Sequence, residues 1–390
     1  MLTAIVGINW GDEGKGRMVD LLSEKYDIIC RYQGGNNAGH TVVNERGKFI
    51  LNLMPSGILR PEAVNVMGPG MVIDLEHLCH EVEKLRSQGI SITPENLKIS
   101  DRATICMPYH KLLDCLEEDR LADQKFGSTR RGISPVYADK YMKKTLRMGD
   151  LLHPDTIRNR LGGLIEWKNL MVQGGYHHEG IKTEEMLEWL ETYGNPWKDY
   201  IVNTTEYLTK ADAEGKNIMF EAQLGALRDI DFGIYPYTSA SSTIAAYAPI
   251  GAGIPAKRLN NALGIMKAYS SCVGEGPFTC ELFGAEGDAL REAGGEYGAA
   301  TGRPRRVGGF DVVASRYGVQ IQGVDSLALT NAKPIYEYLP GFGGKVAGVT
   351  KFEELPENAQ KYVRYLEQAV GCPIQYVSTG ADRDSYIQLF

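Results

Sequence analysis

The residues of this chain best suited to chemistry lie near its N-terminus. An apolar stretch over residues 2–10 is followed by Gly11-Asp-Glu-Gly-Lys-Gly16, and Gly34-Gly-Asn-Asn-Ala-Gly-His-Thr41 comes shortly afterwards. A strand that ends in glycines and a lysine before a helix is typical of a phosphate site, because bare backbone N–H groups and a helix N-terminus then point at the anion. The pattern predicts a phosphate-binding loop over residues 11–16.

This loop departs from the common phosphate loop at two positions. The usual pattern G-x-x-x-x-G-K-[ST] has a glycine where this chain has Asn9 and a hydroxyl where it has Gly16, and that hydroxyl normally holds Mg²⁺. Another ligand must replace the hydroxyl. Asp12, beside Glu13, is the loop carboxylate that could do so, and the departure therefore points to an acid at the reacting phosphate.

The wider pattern is one of apolar strands alternating with helices. It predicts a helix from Asp74 through Leu85 and another over residues 353–370, with Pro356 in its first turn. The predicted strands lie at residues 2–10, 27–31, 64–67, 217–220, 263–266, 326–330 and 374–377. Such strands between helices indicate an α/β fold with a large, mostly parallel central sheet flanked by helices. Ligands bind at the carboxyl ends of these strands, where residues 11–16 and His40 are expected.

Composition narrows the class of protein. The 390 residues contain no linker or repeat, which favours one domain over residues 1–390. No run approaches the roughly 18 apolar residues of a membrane span, and no signal peptide is evident, so we expect a cytoplasmic protein with no membrane partner. The formal charge of −7 disfavours nucleic acid as a partner. Seven cysteines without a C-x-x-C pair argue against a disulfide framework or a zinc site.

Several uncommon motifs, in one order, resemble those of the adenylosuccinate synthetase family. Besides the two N-terminal motifs, the similar segments are Gly127-Ser-Thr-Arg-Arg-Gly-Ile133, Leu146-Arg-Met-Gly-Asp150, Asp229-Ile-Asp-Phe-Gly-Ile-Tyr-Pro-Tyr237, Lys267-Ala-Tyr269, Val273-Gly-Glu-Gly-Pro-Phe278 and Thr301-Gly-Arg-Pro-Arg-Arg306. The resemblance covers most of the chain. It implies the family's phosphate-loop NTPase-like fold, with helical insertions at about 100–210 and a nucleotide-base region at about 326–390.

The resemblance also implies a carbon–nitrogen ligase of AMP synthesis. Such an enzyme joins L-aspartate to IMP and hydrolyses GTP, and a 6-phosphoryl-IMP intermediate turns the poor 6-oxo leaving group into phosphate. By its match to the motif, Asp12 is the base and a Mg²⁺ ligand, His40 is the acid that supports phosphoryl transfer, and the Gly39 carbonyl is the second Mg²⁺ ligand. Alone, Asp12 could be a capping acid and His40 a core histidine; their joint position at strand ends favours function.

The remaining site residues are assigned by the resemblance to three ligands. The triphosphate site takes Gly11, Glu13, Gly14, Lys15, Gly16, Gly39, Thr41, Arg305, Asn331, Lys333, Ser378 and Gly380. The IMP site takes Asn37, Thr129, Lys143, Gln223, Thr238 and Arg303, with Lys143 reaching across a homodimer interface. The aspartate site takes Ala299, Ala300, Thr301, Arg303 and Arg305, since planar guanidinium groups suit its two carboxylates.

This sequence departs from the family pattern in both nucleotide sites. Lys143 stands where relatives have arginine, and Gln223 and Thr238 each lie one position early. Relatives read T-K-L-D at the guanine base, whereas this chain reads Thr330-Asn-Ala-Lys333 and then lacks a segment. Without that aspartate the site loses an acceptor for guanine's donors, so we expect GTP to be held mainly by its phosphates and ATP to be accepted as well.

Two alternatives remain open at this point. One is a related synthetase that acts on another 6-oxopurine nucleotide or uses ATP; the presence of Asp12 disfavours the phage type that acts on dGMP. The other is a nucleotide-binding regulatory protein without ligase activity. The joint presence of His40, Arg303 and Arg305 disfavours it. Whether phosphate release requires both IMP and aspartate discriminates among them.

Overall fold

A ten-stranded sheet forms the centre of the fold. The computed structural model describes residues 1–44, 46–297, 302, 304–330, 342, 344–380 and 383–390. The strands are β1 (Leu2–Gly7), β2 (Ile28–Arg31), β3 (His40–Asn44), β4 (Gly47–Leu51), β5 (Val64–Met67), β6 (Val72–Ile73), β7 (Leu97–Ser100), β8 (Thr104–Ile105), β9 (Ile201–Val202), β10 (Ile218–Glu221), β11 (Asn261–Lys267), β12 (Ser270–Cys272), β13 (Arg306–Gly308), β14 (Ser326–Thr330), β15 (Ile374–Ser378) and β16 (Tyr386–Gln388). The helices are α1 (Lys15–Leu22), α2 (Leu75–Ser87), α3 (Pro108–Leu121), α4 (Ile133–Met142), α5 (Pro154–Asn169), α6 (Thr183–Gly194), α7 (Thr204–Ala213), α8 (Ala248–Ala252), α9 (Gly284–Gly294), α10 (Val312–Gln322) and α11 (Glu357–Val370).

The large sheet is parallel except at one edge. Its strand order is β16-β15-β14-β11-β1-β10-β2-β5-β7-β9, and only the β15–β16 pair is antiparallel. The mostly parallel sheet predicted from the sequence is thereby confirmed. Because parallel strands end at the same edge of a sheet, the segments after β1, β2, β10, β11, β14 and β15 lie along one edge.

Both faces of the sheet are covered by helices, as a parallel sheet requires. On one face, Ile5 of β1 packs with Met18 of α1. On the opposite face, Val6 packs with Leu208 of α7 and Ala248 of α8. Successive side chains of a strand alternate between its faces, so the unbroken apolar run of β1 follows from burial on both sides.

Most predicted element boundaries lie within two residues of those in the structure, but two differ by three residues or more. The first strand was expected to reach residue 10, but it ends at Gly7, where the backbone turns into the loop held by Glu13. The C-terminal helix was expected from residue 353, but it begins at Glu357. Pro356 lies just outside the helix and biases Leu355 towards the extended conformation it adopts, so the helix cannot extend back through them.

All seven cysteines are free thiols. In the described ranges, no group of three or more His, Cys, Asp or Glu side chains could hold a metal ion by itself. No helix in the same ranges is long and apolar enough to cross a membrane.

Candidate active site

The loop between β1 and α1 is organised by a buried glutamate. Glu13 Oε1 accepts hydrogen bonds from the backbone N–H groups of Asn9 (3.1 Å) and Gly11 (2.8 Å), and its Oε2 lies 2.6 Å from Lys15 Nζ. Gly11, Asp12 and Gly14 adopt positive φ angles of 101°, 60° and 91°. The turn therefore suits glycine at two positions and places the Asp12 side chain partly exposed beside the start of α1.

These contacts limit which groups of Glu13 and Lys15 are available to a ligand. The Glu13 carboxylate is used inside the loop, so any contact of this residue with a phosphate would come from its backbone. Lys15 is buried, and its ammonium group neutralises Glu13. Gly14, by contrast, is exposed.

His40, the first residue of β3, is held by a buried acid at the end of β10. Its Nδ1 lies 2.5 Å from Oε1 of Glu221, which also accepts hydrogen bonds from the Ser56 N–H (2.7 Å) and hydroxyl (2.7 Å). Burial raises the pKa of the Glu221 carboxyl, but the bonds and charges of His40 and Arg31 outweigh it and bring that pKa below its usual value. An ionised carboxylate only accepts, so Nδ1 of His40 carries a proton and donates it.

The same histidine packs against the first turn of α1. A Cβ added to Gly16 would lie 2.5 Å from the His40 Cβ. His40 and the loop that carries Asp12 thus both lie beside the first turn of α1.

Asp12 is in turn joined to a chain of buried charges. Arg305 Nε lies 3.0 Å from Asp12 Oδ2, and Arg305 Nη1 lies 2.8 Å from Glu296 Oε2. The second oxygen of Glu296 lies 2.6 Å from Lys267 Nζ, at the end of β11. Burial raises the pKa of Glu296, but the two cations outweigh it and lower that pKa below its usual value.

Two residues assigned to the IMP site contact each other. Gln223 Nε2 donates to Asn37 Oδ1 (2.8 Å), and Gln223 Oε1 accepts from Arg31 Nη2 (2.5 Å). Gly34 must remain glycine here, because its Cβ would lie 2.1 Å from Gln223 Oε1. Gln223 therefore follows β10 and contacts both Arg31, at the end of β2, and Asn37, in the segment after β2.

Residues at the ends of β14 and β15 attach the C-terminal region to the loop and to α1. Thr330 Oγ1 donates to the Glu13 carbonyl (2.6 Å), and Arg17 of α1 donates to the Ser378 hydroxyl. Arg383 forms a bidentate pair with the buried Asp20 of α1, at 2.9 Å for both bonds. Ser378 Oγ in turn donates to the carbonyl of Gly380 (3.1 Å).

The structure places the remaining predicted residues in other loops or beside His40 on β3. Thr129 lies in the loop before α4, and Thr238 lies in the loop after the cis Tyr235–Pro236 bond. Lys143 follows α4 with φ 62° and lines a cleft with Lys140, Thr145, Arg147, Asp150 and Arg160. Gly39 is partly buried and Thr41 is exposed on β3. Predicted residues outside the described ranges are Ala299, Ala300, Thr301, Arg303, Asn331 and Lys333.

The charged residues of the site that were not predicted include Glu221, Lys267 and Glu296. Each is buried and contacts a residue distant in sequence, so spacing alone could not place it. For two of these residues the sequence did contain a signal that could have placed them in the site. Glu221 and Lys267 each end an otherwise apolar strand of a parallel sheet, which is the edge where ligands bind.

The fold and the site together define a phosphate-loop α/β enzyme with a histidine and an aspartate beside the loop. Comparisons with known proteins identify the family. A sequence model of the adenylosuccinate synthetase family matches residues 4–332 and 328–387. Adenylosuccinate synthetase of Heliobacterium modesticaldum is 41% identical over 420 aligned positions, which cover 99% of this chain and 98% of the relative. Adenylosuccinate synthetase 2 of Pseudoalteromonas translucida is 42% identical over 416 positions, with 98% of each chain covered.

Comparison with solved structures supports the same family. Fully ligated adenylosuccinate synthetase of Plasmodium falciparum superimposes with a TM-score of 0.92 at 32% identity, covering 100% of this chain and 99% of that one. Succinoaminodeoxyadenylate synthetase of cyanophage S-2L, bound to dGMP and dATP, has a TM-score of 0.67 at 20% identity and supports the fold alone. The chain therefore belongs to the adenylosuccinate synthetase family, whose members ligate L-aspartate to IMP with GTP. It is a ligase of purine biosynthesis, which sets aside the alternative of a regulator without ligase activity.

Proposed function

We propose that this chain carries out the family reaction with Asp12 and His40 as its acid–base pair. The supporting observation is that both residues lie at the start of α1, where His40 packs against Gly16. Asp12 removes the N1 proton of IMP, which lets O6 attack the γ-phosphate of GTP. His40, whose Nε2 is left available because Glu221 contacts Nδ1, stabilises the transferring phosphoryl group. The amine of aspartate then displaces phosphate from C6.

Mg²⁺ fits the residues that the resemblance assigns to it. The Asp12 carboxylate is 26% exposed, and Gly39 is partly exposed after β2, so both can offer oxygen atoms to a ligand. Oxygen donors are what Mg²⁺ prefers. Asp12 and the Gly39 carbonyl would hold the ion, which when bound neutralises charge on the triphosphate.

The three substrates are assigned to three sets of residues, which share Arg303 and Arg305. The contact between Gln223 and Asn37 supports an IMP site there, with Thr129, Thr238 and Arg303 completing it. GTP phosphates bind residues 11–16, Gly39 and Thr41. Arg305, beside Asp12, supports an aspartate site formed with residues 299–301 and Arg303. Because these substrates are free nucleotides and an amino acid, we place the enzyme in the cytoplasm.

The active site is completed across a homodimer. Lys143 directly follows α4, whose Tyr137 hydroxyl accepts a hydrogen bond from the Gly34 N–H (2.9 Å). The neighbouring Tyr141 and Met142 are 76% and 50% exposed, which suits a protein contact. Lys143 would then reach the IMP phosphate of a second copy.

Mixing two inactive variants tests the shared site. Asp12→Ala and Lys143→Ala subunits are each expected to have little activity alone. If the site is shared, a mixed dimer contains one site with both residues intact, so mixing restores up to about a quarter of the native activity in randomly reassorted subunits. Absence of any recovery, with subunit exchange demonstrated, would show that each chain supplies its own Lys143.

The catalytic pair is tested by Asp12→Ala and His40→Ala. Both variants should fold and lose roughly 10²–10⁴-fold in rate, since general acid–base and electrostatic contributions each have that size. The assay is phosphate release with GTP, aspartate and either IMP or dGMP, with thermal unfolding as the folding control. Near-native turnover by either variant would remove the mechanism, and release with dGMP rather than IMP would identify another purine substrate.

A further inference from the structure

Glu296 connects the aspartate-binding arginine to the body of the protein. It is 1% exposed, and both of its carboxylate oxygens are used: Oε2 by Arg305 Nη1 at 2.8 Å, and Oε1 by Lys267 Nζ at 2.6 Å. The Tyr269 hydroxyl also donates to Oε1. The main chain adds a further link, because the Arg305 N–H donates to the Glu296 carbonyl (2.9 Å).

These contacts fix the direction of the guanidinium group. Nη1 is held by Glu296 on one side, and Nε faces Asp12 on the other at 3.0 Å. The Nε contact is an ion pair and not an aligned hydrogen bond. The tighter contact is therefore the one with Glu296, which is itself fixed by Lys267 on β11 and by Tyr269.

The adjacent arginine shows a different arrangement. Arg306 forms a bidentate pair with Glu281, at 2.9 and 2.5 Å, and donates to the carbonyl of Gly276 (2.8 Å). Its guanidinium carbon lies 5.4 Å from the centre of the Phe278 ring. Its described contacts do not include Asp12 or Lys267. Two neighbouring arginine–glutamate pairs thus differ in whether the arginine reaches the loop.

We propose that Glu296 is a positioning residue for the ligase reaction. It holds the Arg305 guanidinium beside Asp12 before aspartate binds, so that the arginine does not have to be ordered during binding. The effect of losing it should therefore fall on aspartate more than on IMP. This inference rests on the proposed role of Arg305 in binding aspartate.

The test is a double-mutant cycle between Glu296→Gln and Arg305→Leu. Glu296→Gln should lower kcat/KM for aspartate by between about tenfold and a hundredfold, as expected when a binding group loses its orientation, with KM for IMP changed by less than about threefold. In the Arg305→Leu background the second substitution should add almost nothing, because there is no guanidinium left to position. Glu281→Gln is the matched control, and it should leave kcat/KM for aspartate near the native value.

The outcomes separate this inference from the proposed function. If Arg305→Leu reduces kcat/KM for aspartate but Glu296→Gln does not, the positioning role alone is wrong. If Arg305→Leu has no effect, the aspartate-binding role of Arg305 fails and the positioning role fails with it. Additive effects in the cycle, or equal effects on IMP and aspartate, would indicate a purely structural role. If Glu296→Gln does not fold, the double variant that combines Lys267→Met with Glu296→Gln takes its place in the same cycle. This double variant removes both charges of the buried pair.

Discussion

At the scale of single residues, His40, the proposed catalytic histidine, is held from two sides. Glu221 fixes the Nδ1 side of the ring at 2.5 Å, and Gly16 allows the histidine to approach the first turn of α1. Glycine at position 16 therefore has two explanations. It lets the backbone approach a phosphate, as predicted from the sequence, and it leaves room for His40. Any larger residue there would push His40 away from the helix N-terminus.

Gly16→Ala should consequently fold but lose most of its ligase activity. The new Cβ would lie 2.5 Å from the His40 Cβ, which is bonded directly to the main chain of β3 and cannot be moved by rotating the side chain. A displacement of about 1 Å at a catalytic group can cost roughly 10²-fold in rate. Activity and thermal unfolding measured together would check this.

Gly163→Ala supplies the matched control. Gly163 lies in α5 with open space around its Cβ position, so alanine there should raise stability by up to about 1 kcal/mol and leave activity unchanged. Full activity in Gly16→Ala would mean that His40 has room to move without consequence.

Sequence reasoning at this scale identified the loop and the proposed catalytic pair but not their supporting contacts. Asp12 and His40 stand in short, recognisable glycine-rich motifs. Glu221 and Glu296 were given no role from the sequence, since their partners His40 and Arg305 are distant along the chain and meet them only in the folded protein. Arg305 itself was assigned to ligands, whereas in the structure it also neutralises Asp12 and Glu296.

At the scale of elements, strands were easier to predict than helix starts. The predictions for residues 64–67 and 326–330 coincide with β5 and β14, because both strands are short apolar runs with clear ends. The start of α11 was misplaced because its amphipathic pattern continues through a separate 3-10 turn at Phe352–Glu354. The hairpin of β3 and β4 and the antiparallel strand β16 were not predicted, since their partly exposed residues lack a continuous apolar run.

The segment after β14 leads to a prediction about the triphosphate. The family match is broken between residues 328 and 332, and alignments with relatives are longer than the 390-residue chain, so this chain must contain gaps in them. No carboxylate stands at Asn331 or Lys333 to accept from guanine. We expect ATP to be used within about tenfold of GTP, because one base-specific acceptor contributes about 1–3 kcal/mol.

The measurement is kcat/KM for GTP and for ATP at saturating IMP and aspartate. Asp382 lies outside the described residues, in the segment Ser378-Thr-Gly-Ala-Asp-Arg383 that resembles the family's nucleotide-base loop. It is an acid that could still select guanine, so Asp382→Ala is measured alongside. A preference for GTP above a thousandfold in the native enzyme would contradict the prediction. Loss of that preference in Asp382→Ala would then identify the residue that reads the base.

At the scale of the whole molecule, a buried charge cluster lies among the helices between residues 100 and 210. His110 of α3 lies 2.9 Å from Asp139 of α4, and Lys168 of α5 lies 2.5 Å from the same carboxylate. The apolar cluster around them extends from Ile99 in the sheet to Leu161 in α5. We propose from this continuity that the helical insertions unfold together with the sheet, as one domain.

The cluster predicts how stability changes with pH. Burial lowers the pKa of His110 despite the attraction of Asp139, so the folded protein binds a proton there less readily than the unfolded chain does. Burial raises the pKa of Asp139, but His110 and Lys168 outweigh it and lower that pKa overall. For both groups the unfolded chain binds more protons in acid. The free energy of unfolding must therefore fall as pH falls. It falls first below the usual histidine pKa of about 6.5, where His110 of the unfolded chain binds a proton, and later below the usual aspartate pKa of about 4, where Asp139 does.

His110→Gln should remove the first of these two phases. One group can contribute a slope of at most about 1.4 kcal/mol per pH unit, and glutamine cannot titrate. Urea unfolding of both proteins between pH 7 and pH 5 measures the slope, with His178→Gln as a control because His178 is exposed. The variant is expected to be less stable at pH 7, since Asp139 and the Met107 N–H lose a partner, yet to lose less stability on acidification. An unchanged slope in His110→Gln would mean that His110 is not the group that couples protons to unfolding. Two separate unfolding transitions would contradict the one-domain proposal and show that the helical insertions fold independently of the sheet.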